Sequence, residues 1–594
     1  MGSLLRHRGV PGGVAELDAG VGLGWCAPAP RPAAPPAALP AALPGRSPGD
    51  DLPFLGASGR VACVLDGYLL NADDLRAELA RDDLAPRDQQ DAALVACAFA
   101  RWGADAFARL DGAFAAALLA GDTLWLVRDP LGEKVLYWTE VGGTFLFASE
   151  AKAFLAHPAF RAEPDPASLV KLLVFSFVPG APTAFRGVCE LPPAHHVARR
   201  AGAPARVTRY WDLVEDVQPW SEEESAERVG VLVRAAVKRR LPPGGAPVGA
   251  FLSGGVDSSA VVAVLAELGA PVTAWSLAFG EGHENELDYA RLVVERTGVP
   301  HRLVEIGSDA FVDLLPAVIW HLDDPLCDCI TVPNYLLARE AARDVQVIFN
   351  GEGGDPLFGG PKNKFLILGE WYRFLGGYDR ARAYLGSYHK FWEHLDDALT
   401  PELLGAAGGR AALEELVRPY LESARMQAFL NKLMYVNVTL KGGQNILVKV
   451  DKMLAASGVQ PRSPLFDRAL AEATFRMPTA HKRKGEVEKW CFKRAVEPLL
   501  PRAVVYRKKA GMGVPLNVWF REGRLRACAR DLLLSPRALA RGYFRPGFVE
   551  TLMDDERWRA AKVGKDRSGE LLWMLLALEL WHRLYVEGEW RGAA

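Results

Sequence analysis

The sequence predicts two folds in tandem: an α+β layered domain over residues 1–205, and an α/β domain with a helical extension over residues 206–594. Three observations predict this. Short apolar strands crowd the first part, with only two helices among them. From Val248 to Phe349 strand and helix alternate, which implies a parallel sheet covered on both faces. Past about residue 365 the pattern is mostly helical, with aromatic-rich amphipathic stretches. The chain has 594 residues, half of them apolar. That is too long for one core, so about two to four domains are expected.

Taken in order, residues 27–49 are rich in Ala and Pro and read as an irregular loop, partly polyproline II. Arg60–Leu65 is a short apolar strand, ended by Asp66-Gly67. Helices are expected over Ala72–Leu79 and Asp88–Trp102, and strands over Ala113–Leu119, Thr123–Arg128 and Thr144–Ala148. Pro- and Gly-rich turns over 180–205 set the domain border near 205. Beyond it, strands are expected at Val248–Leu252, Val272–Ala278, His301–Glu305 and Val345–Phe349, with helices over 258–268, 285–297, 309–322 and 331–343.

The most informative segment follows the first of these strands: Ser253-Gly254-Gly255-Val256-Asp257-Ser258-Ser259. Gly254 and Gly255 let the backbone turn tightly and approach an anion with no Cβ in the way. The helix that follows points its free N–H groups at that turn. The hydroxyls of Ser253, Ser258 and Ser259 add donors, and the Asp257 carboxylate can hold a cation between phosphates. These parts suit the pyrophosphate of ATP. The segment lacks the lysine of Gly-x-x-x-x-Gly-Lys-[Ser/Thr], and it is not Gly-x-Gly-x-x-Gly. A second glycine-rich loop, Asn350-Gly351-Glu352-Gly353-Gly354-Asp355, follows strand Val345–Phe349. Ligands of open parallel sheets bind beyond the C-terminal ends of strands. The two loops therefore share one crevice if their strands are neighbours. Asp355 then pairs with Asp257 as a second carboxylate for Mg²⁺, and Glu352 is placed for acid–base work beside a carbonyl.

The formal net charge of −2 and pI of about 6.6 argue against nucleic acid as the main partner. Eight cysteines are scattered, with only Cys327 and Cys329 close together. Cys-x-Cys alone is a poor metal site, so two buried or half-buried thiols are expected. No apolar stretch approaches the ~20 residues of a membrane span, and the start shows no signal-peptide pattern. The expected location is the cytoplasm, with no membrane partner.

These motifs resemble the asparagine synthetase family of the class B, glutamine-hydrolysing type. Residues 253–259 match its Ser-Gly-Gly-x-Asp-Ser-Ser pattern, which is similar to the PP-loop of ATP pyrophosphatases. Residues 350–360 match its second loop, with Asn350 for Ser and Pro356 for Glu. Asp323-Asp324-Pro325 with Asp328, Lys449–Met453, Arg462–Asp467, Arg507–Pro515 and Trp573–Trp581 resemble later family segments. The resemblance implies a PP-loop synthetase domain of the adenine nucleotide alpha-hydrolase-like type. Its implied chemistry uses ATP and Mg²⁺ to adenylate a carboxylate, which an amine then attacks. It places Leu252, Leu277, Asn350 and Gly351 at the nucleotide, Asp257 and Asp355 on Mg²⁺, Lys509 at the transition state and Glu352 at the amine's proton. It also allows a homodimer.

The first domain resembles the family's Ntn-hydrolase-like glutaminase through Arg6-His7-Arg8-Gly9, Leu110–Phe114, Arg128–Tyr137 and Phe147–Lys152. An active glutaminase of this type needs Cys directly after the initiator Met, because the freed α-amine is the base for its own thiol. Here the second residue is Gly2, and the segment for Asn-Gly-Glu-Ile-Tyr-Asn reads Asp66-Gly67-Tyr68-Leu69-Leu70-Asn71. The domain is expected to lack glutaminase activity. The chain then reads as a ligase using free ammonia or a substrate amine on a small-molecule or peptide carboxylate. That class includes natural-product tailoring enzymes similar to β-lactam synthetases and lasso-peptide macrolactam cyclases. Two alternatives stay open: a glutamine-hydrolysing asparagine synthetase with a mis-assigned start, and a non-catalytic nucleotide-binding scaffold.

Overall fold

The computed structural model describes residues 2–8, 10–17, 21–27, 61–86, 89–280, 286–360, 363–373, 376–509, 513–561 and 566–589. Most of the expected loop over 27–49 lies outside the described residues, as does Ala510-Gly511-Met512. The chain forms two compact units: residues 1–160, 191–212 and 455–458, and residues 161–190, 213–454 and 459–594. The border expected near 205 falls inside the 191–212 segment.

In the first unit, β1 (Val10–Leu17) and β2 (Val21–Ala27) form an antiparallel pair. The main sheet is antiparallel and is built from β3 (Val61–Leu69), β4 (Gly112–Ala120), β5 (Thr123–Arg128), β8 (His195–Arg200) and β9 (Arg206–Arg209), in the order β9-β8-β5-β4-β3. Alternate residues of β4 face opposite ways, as the period of two requires. Phe114, Ala116 and Leu118 pack with Leu75 and Leu79 of α1 (Ala72–Ala80) and Leu94 and Ala98 of α2 (Asp91–Trp102). Ala115 and Ala117 face a second cluster that includes Trp138 of β6 (Tyr137–Val141) and Phe145 and Phe147 of β7 (Thr144–Ala148). Helices thus cover one sheet face and a hairpin the other.

Strand β3 does not stop at Asp66-Gly67, as its sequence suggests, but continues to Leu69, with Gly67 opposite Phe114. Gly67 has φ +124°, and a Cβ there would lie 2.0 Å from the Ala113 carbonyl oxygen. The glycine lets two strands approach rather than ending one.

The turn after β5 is organised by two buried charges. Arg128 donates to the carbonyls of Lys134 (2.5 Å), Leu191 (2.7 Å) and Gly132 (3.3 Å). The Asp129 carboxylate accepts the backbone N–H groups of Leu131, Gly132, Glu133 and Lys134 at 2.7–3.1 Å.

In the second unit, all five strands of the sheet are parallel. They are β10 (Val248–Phe251), β11 (Val272–Ala278), β12 (His301–Glu305), β13 (Val347–Phe349) and β14 (Gln460–Arg462), in the order β12-β11-β10-β13-β14. The chain builds outward from β10 to one side and then returns to its other side with β13. The order therefore reverses between β10 and β13, where open sheets leave a crevice. Helices α3 (Glu222–Lys238), α4 (Val256–Glu267), α5 (Leu287–Thr297), α6 (Ser308–Leu322) and α7 (Thr331–Ala341) belong to this unit. Ser221 and Glu224 start α3 with a reciprocal capping box. Strand β14 is not legible in the sequence: it is three residues long and centred on Pro461, which an edge strand tolerates.

Replacing Asp129 by Ala strands four buried N–H groups, each costing about 1–3 kcal/mol when unsatisfied. Asp129→Ala is expected to lower the melting temperature of the first unit far more than Asp129→Asn, which keeps an acceptor. Differential scanning calorimetry of the whole chain reads the difference, and equal shifts would refute the role given to the carboxylate.

Candidate active site

The crevice between β10 and β13 opens into a cavity of about 350 Å³. One wall is the turn from β10 into α4. Gly254 has φ +77°, and a Cβ on it would meet the Glu286 carbonyl oxygen at 2.6 Å. The Ser253 and Ser258 hydroxyls lie 3.1 Å apart, and the Gly255 N–H donates to Ser253 Oγ at 3.3 Å. Leu252, Ser253, Gly255, Asp257, Ser258 and Leu277 line the cavity. Gly254 does not line it, and Ser259 is fully buried on α4, so both support the turn from behind.

The other wall is the loop after β13. Asn350 is buried and donates from its side chain to the Arg462 carbonyl (3.1 Å) and Ser463 Oγ (3.0 Å), while its Oδ1 accepts the Glu352 N–H (3.0 Å). Asn350, Gly351, Glu352, Asp355 and Lys509 all line the same cavity. The loops meet at backbone distance. A Cβ on Gly351 would sit 2.4 Å from the Ser258 nitrogen, and one on Gly354 2.1 Å from Asp257 Oδ1. Only glycine permits this approach.

Between the loops the structure holds a cation that sequence reasoning missed. Lys489 Nζ lies 2.6 Å from Asp257 Oδ2 and 2.5 Å from Asp355 Oδ1. Lys509 pairs with the other oxygen of Asp355. Lys489 is buried and adopts φ +54° at the start of the helix Trp490–Val496, a backbone state that costs a non-glycine residue about 1–3 kcal/mol. In the run His481-Lys482-Arg483-Lys484-Gly485-Glu486-Val487-Glu488-Lys489 it looks like one solvated charge among several. No sequence signal separates it from its neighbours. Burial opposes its charge, but Asp257 and Asp355 outweigh that and raise its pKa above the ordinary lysine range. Burial likewise pushes the Asp355 carboxyl up, while Lys489 and Lys509 hold it well below the usual carboxylate range.

A second charged group flanks the cavity. Lys449 Nζ is 2.9 Å from Asp328 Oδ2 and 4.0 Å from Glu352 Oε1. Burial pushes the Asp328 pKa up, but Lys449 brings it down to about 2. Glu352, half-exposed, is left facing the cavity beside a fixed positive charge.

Asp257 and Asp355 reach one cation position, and among the described residues no cluster of three or more His, Cys, Asp or Glu side chains is arranged for a metal. Two carboxylates fit Mg²⁺, which keeps several waters and is completed by substrate phosphates.

The first unit has its own buried charge cluster. Asp66 accepts from Ser149 Oγ (2.8 Å) and pairs with Lys134 (3.0 Å) and Arg8 (3.4 Å). Burial pushes its pKa up, but Lys134 and Arg8 hold it down at about 2. Glu150 pairs with His7, Arg8 and Lys152. An ionised carboxylate accepts hydrogen bonds and donates none.

Lys489→Met removes one of the two cations that depress Asp355. A carboxyl whose folded pKa is lowered stabilises the fold above its unfolded pKa, near 3.9, and loses that contribution as pH falls through the folded value. Lys489→Met is therefore expected to melt below wild type at pH 7, with the gap narrowing below about pH 4. A gap that is unchanged from pH 7 to pH 3 would contradict the pairing.

Residues 228–583 match the asparagine synthase family, more than half of the chain, and residues 42–211 match the glutamine amidotransferase domain. The chain is 25% identical over 550 residues to asparagine synthetase [glutamine-hydrolyzing] 1 of Bacillus subtilis, covering 88% of this chain and 85% of that protein. It is 29% identical over 567 residues to a putative asparagine synthetase [glutamine-hydrolyzing] of Mycobacterium bovis, covering 89% and 85%. Amidase chry2 of Gibberella zeae is 29% identical over 332 residues, covering 52% of this chain and 48% of its own. Two neighbouring strands of a parallel sheet, two glycine loops in contact and these matches agree: the chain belongs to the asparagine synthase family.

Proposed function

We propose that the protein is an AMP-forming carbon–nitrogen ligase whose synthetase domain, residues 206–594, activates a carboxylate with ATP and passes the acyl group to ammonia or a substrate amine. The observation that carries this reading is the meeting of Asp257 and Asp355, from neighbouring strands, on one cation position. In the first step a carboxylate oxygen attacks the α-phosphorus of ATP, and the bond to the bridging oxygen breaks, releasing pyrophosphate. In the second the amine attacks the acyl carbon, AMP leaves, and one proton is lost from nitrogen.

The residues divide the work by position. Leu252, Leu277, Asn350 and Gly351 hold the nucleoside part. The Gly255 backbone and the hydroxyls of Ser253 and Ser258 bind the departing phosphates at the start of α4. Lys509 and Lys489 present fixed positive charge to the transition state. Glu352 takes the amine's proton, with Lys449 Nζ 4.0 Å from its Oε1. Asp257 and Asp355 would hold Mg²⁺, which supplies charge neutralisation at the pyrophosphate.

In this reading the glutaminase-like domain, residues 1–205, releases no ammonia. Asp66 supports it: an ionised acceptor stands where the family's oxyanion segment carries a neutral Asn donor. A cytoplasmic enzyme fits the free thiols of Cys63, Cys97, Cys189, Cys327, Cys329, Cys491 and Cys528. No helix among the described residues is long and apolar enough to cross a membrane.

Pyrophosphate release from ATP, Mg²⁺ and a panel of carboxylates tests the site. Asp257→Ala is expected to reduce it by roughly 10²-fold or more, and undiminished release would contradict the assignment. Glutamate formation from glutamine is expected to stay at the uncatalysed background. Turnover abolished by substituting a cysteine would overturn the inactive-glutaminase reading.

A further inference from the structure

The helix Ser568–Trp581 has no polar face: the run Leu571–Leu578 holds no polar residue. Such a helix is buried all round, and Glu579 is the single charge between Leu571 and Trp581. A buried charge needs partners. The Glu579 carboxylate accepts from Arg541 twice, Nε to Oε2 at 2.8 Å and Nη2 to Oε1 at 3.0 Å, and from Arg583 Nε at 2.6 Å. Arg541 also meets Glu587 (2.6 Å), and Arg537 pairs with Glu587 and Glu589. Three arginines and three glutamates cancel, so the cluster carries no net charge.

Arg541 and Glu579 floor a cavity of about 260 Å³ that shares no lining residue with the crevice between β10 and β13. Its inner walls are Leu533, Val549, Leu575 and Leu578, all buried. Its outer wall, residues 541–547, is clamped to residues 398–400. The Arg545 N–H donates to the Ala398 carbonyl (2.8 Å) and its Nε to the Leu399 carbonyl (3.0 Å). Thr400 donates from Oγ1 to the Gly542 carbonyl (2.9 Å) and from its N–H to the Tyr543 carbonyl (3.1 Å). Walls fixed in this way form a pocket before any ligand arrives, as small-molecule sites do. Arg545 and Glu550, one charge of each sign, are exposed at its rim.

Facing this apolar space is an imidazole without a hydrogen bond. The helix ends in a π-helical turn, His582–Val586, a rare turn that concentrates at functional sites. The turn places His582 at the cavity, 7% exposed. Among the described residues its Nδ1 has no hydrogen-bond partner, and Glu587 Oε1 is 3.7 Å away, beyond hydrogen-bond range. Burial, with Arg541 nearby, pushes the His582 pKa down to about 4, so the ring is neutral at pH 7. The Tyr543 ring lies beside it, centroids 6.0 Å apart at 59°. Burial raises the Tyr543 pKa, so its hydroxyl keeps its proton. A buried imidazole nitrogen with no partner is destabilising, and a partner from outside the chain removes that cost.

We propose that this cavity is a second ligand site, for an uncharged molecule of about two fused aromatic rings with one hydrogen-bonding group, which His582 and Tyr543 hold. Size, charge and polarity each narrow the class. An apolar cavity of about 150 Å³ takes one benzene ring, so this one has room for a second. The floor is neutral, and an ion brought between apolar walls with no counter-ion to spare loses its hydration uncompensated. Tyrosine and imidazole rings offer faces and edges against which an aromatic ring packs. A neutral imidazole and a phenol can accept and donate a hydrogen bond. The site is independent of the ligase reading.

The test uses the full chain and three probes: indole, indene, which has the same shape without the N–H, and the charged indole-3-acetate. Isothermal titration calorimetry reads each probe with wild type, His582→Phe and Ala538→Phe. Wild type is expected to bind one indole per chain, roughly tenfold more tightly than indene or indole-3-acetate. His582→Phe keeps a ring of similar bulk and is expected to erase the preference for indole over indene. A histidine with only a structural role would leave that ratio unchanged. Ala538→Phe fills the cavity from its half-buried side and is expected to abolish binding of both. Melting temperature checks that each variant is folded, and either one alone decides the proposal if the other is not. A non-hydrolysable ATP analogue should not displace indole. The proposal is overturned by equal affinity for indole and indene, by a preference that survives His582→Phe, by indole binding indifferent to Ala538→Phe, by displacement with the nucleotide analogue, or by no binding up to the solubility of indole.

Discussion

The second unit is organised around a contact between two backbone turns that only glycine allows. Gly351 abuts the Ser258 backbone and Gly354 abuts the Asp257 carboxylate, so the loops after β10 and β13 touch with no side chain between them. Two carboxylates on touching loops repel unless a cation joins them. Lys489 supplies one, buried and in a backbone state a lysine does not favour. A strained, desolvated lysine persists only where its surroundings over-determine it, and such positions concentrate at functional sites. The same preorganised positive charge that holds the loops together is what a departing pyrophosphate requires.

The parallel sheet was legible because its strands are continuous apolar runs bounded by glycine turns. The alternation from Val248 to Phe349 gave four strands and the helices between them. Both phosphate-loop candidates were legible for the same reason: glycines immediately after a buried strand have few other uses. Strand β14 escaped because three residues around a proline carry no period. In the first unit, Gly67 was misleading. A glycine inside a strand pattern can mark an end or a close approach, and only the partner strand shows which.

Within the site, legibility followed distance along the chain. Residues inside the two motifs, from Leu252 to Ser258 and from Asn350 to Asp355, fall on the cavity because the motif fixes their geometry, apart from Gly254 behind the wall. Lys489 lies 232 residues from Asp257, and nothing local distinguishes it from the basic run around it.

In the first unit the charged side chains of the cluster are paired with one another. Arg8, Lys134 and Ser149 are engaged by Asp66, and His7, Arg8 and Lys152 by Glu150. The central claim, that Asp257 and Asp355 share a nucleotide-bound divalent ion, is tested most directly by anomalous diffraction from crystals grown with Mn²⁺ and an α,β-non-hydrolysable ATP analogue. The account predicts one peak about 2.0–2.2 Å from an oxygen of each carboxylate, with the analogue's phosphates at the start of α4. A nucleotide bound elsewhere, or a peak touching neither aspartate, would contradict it.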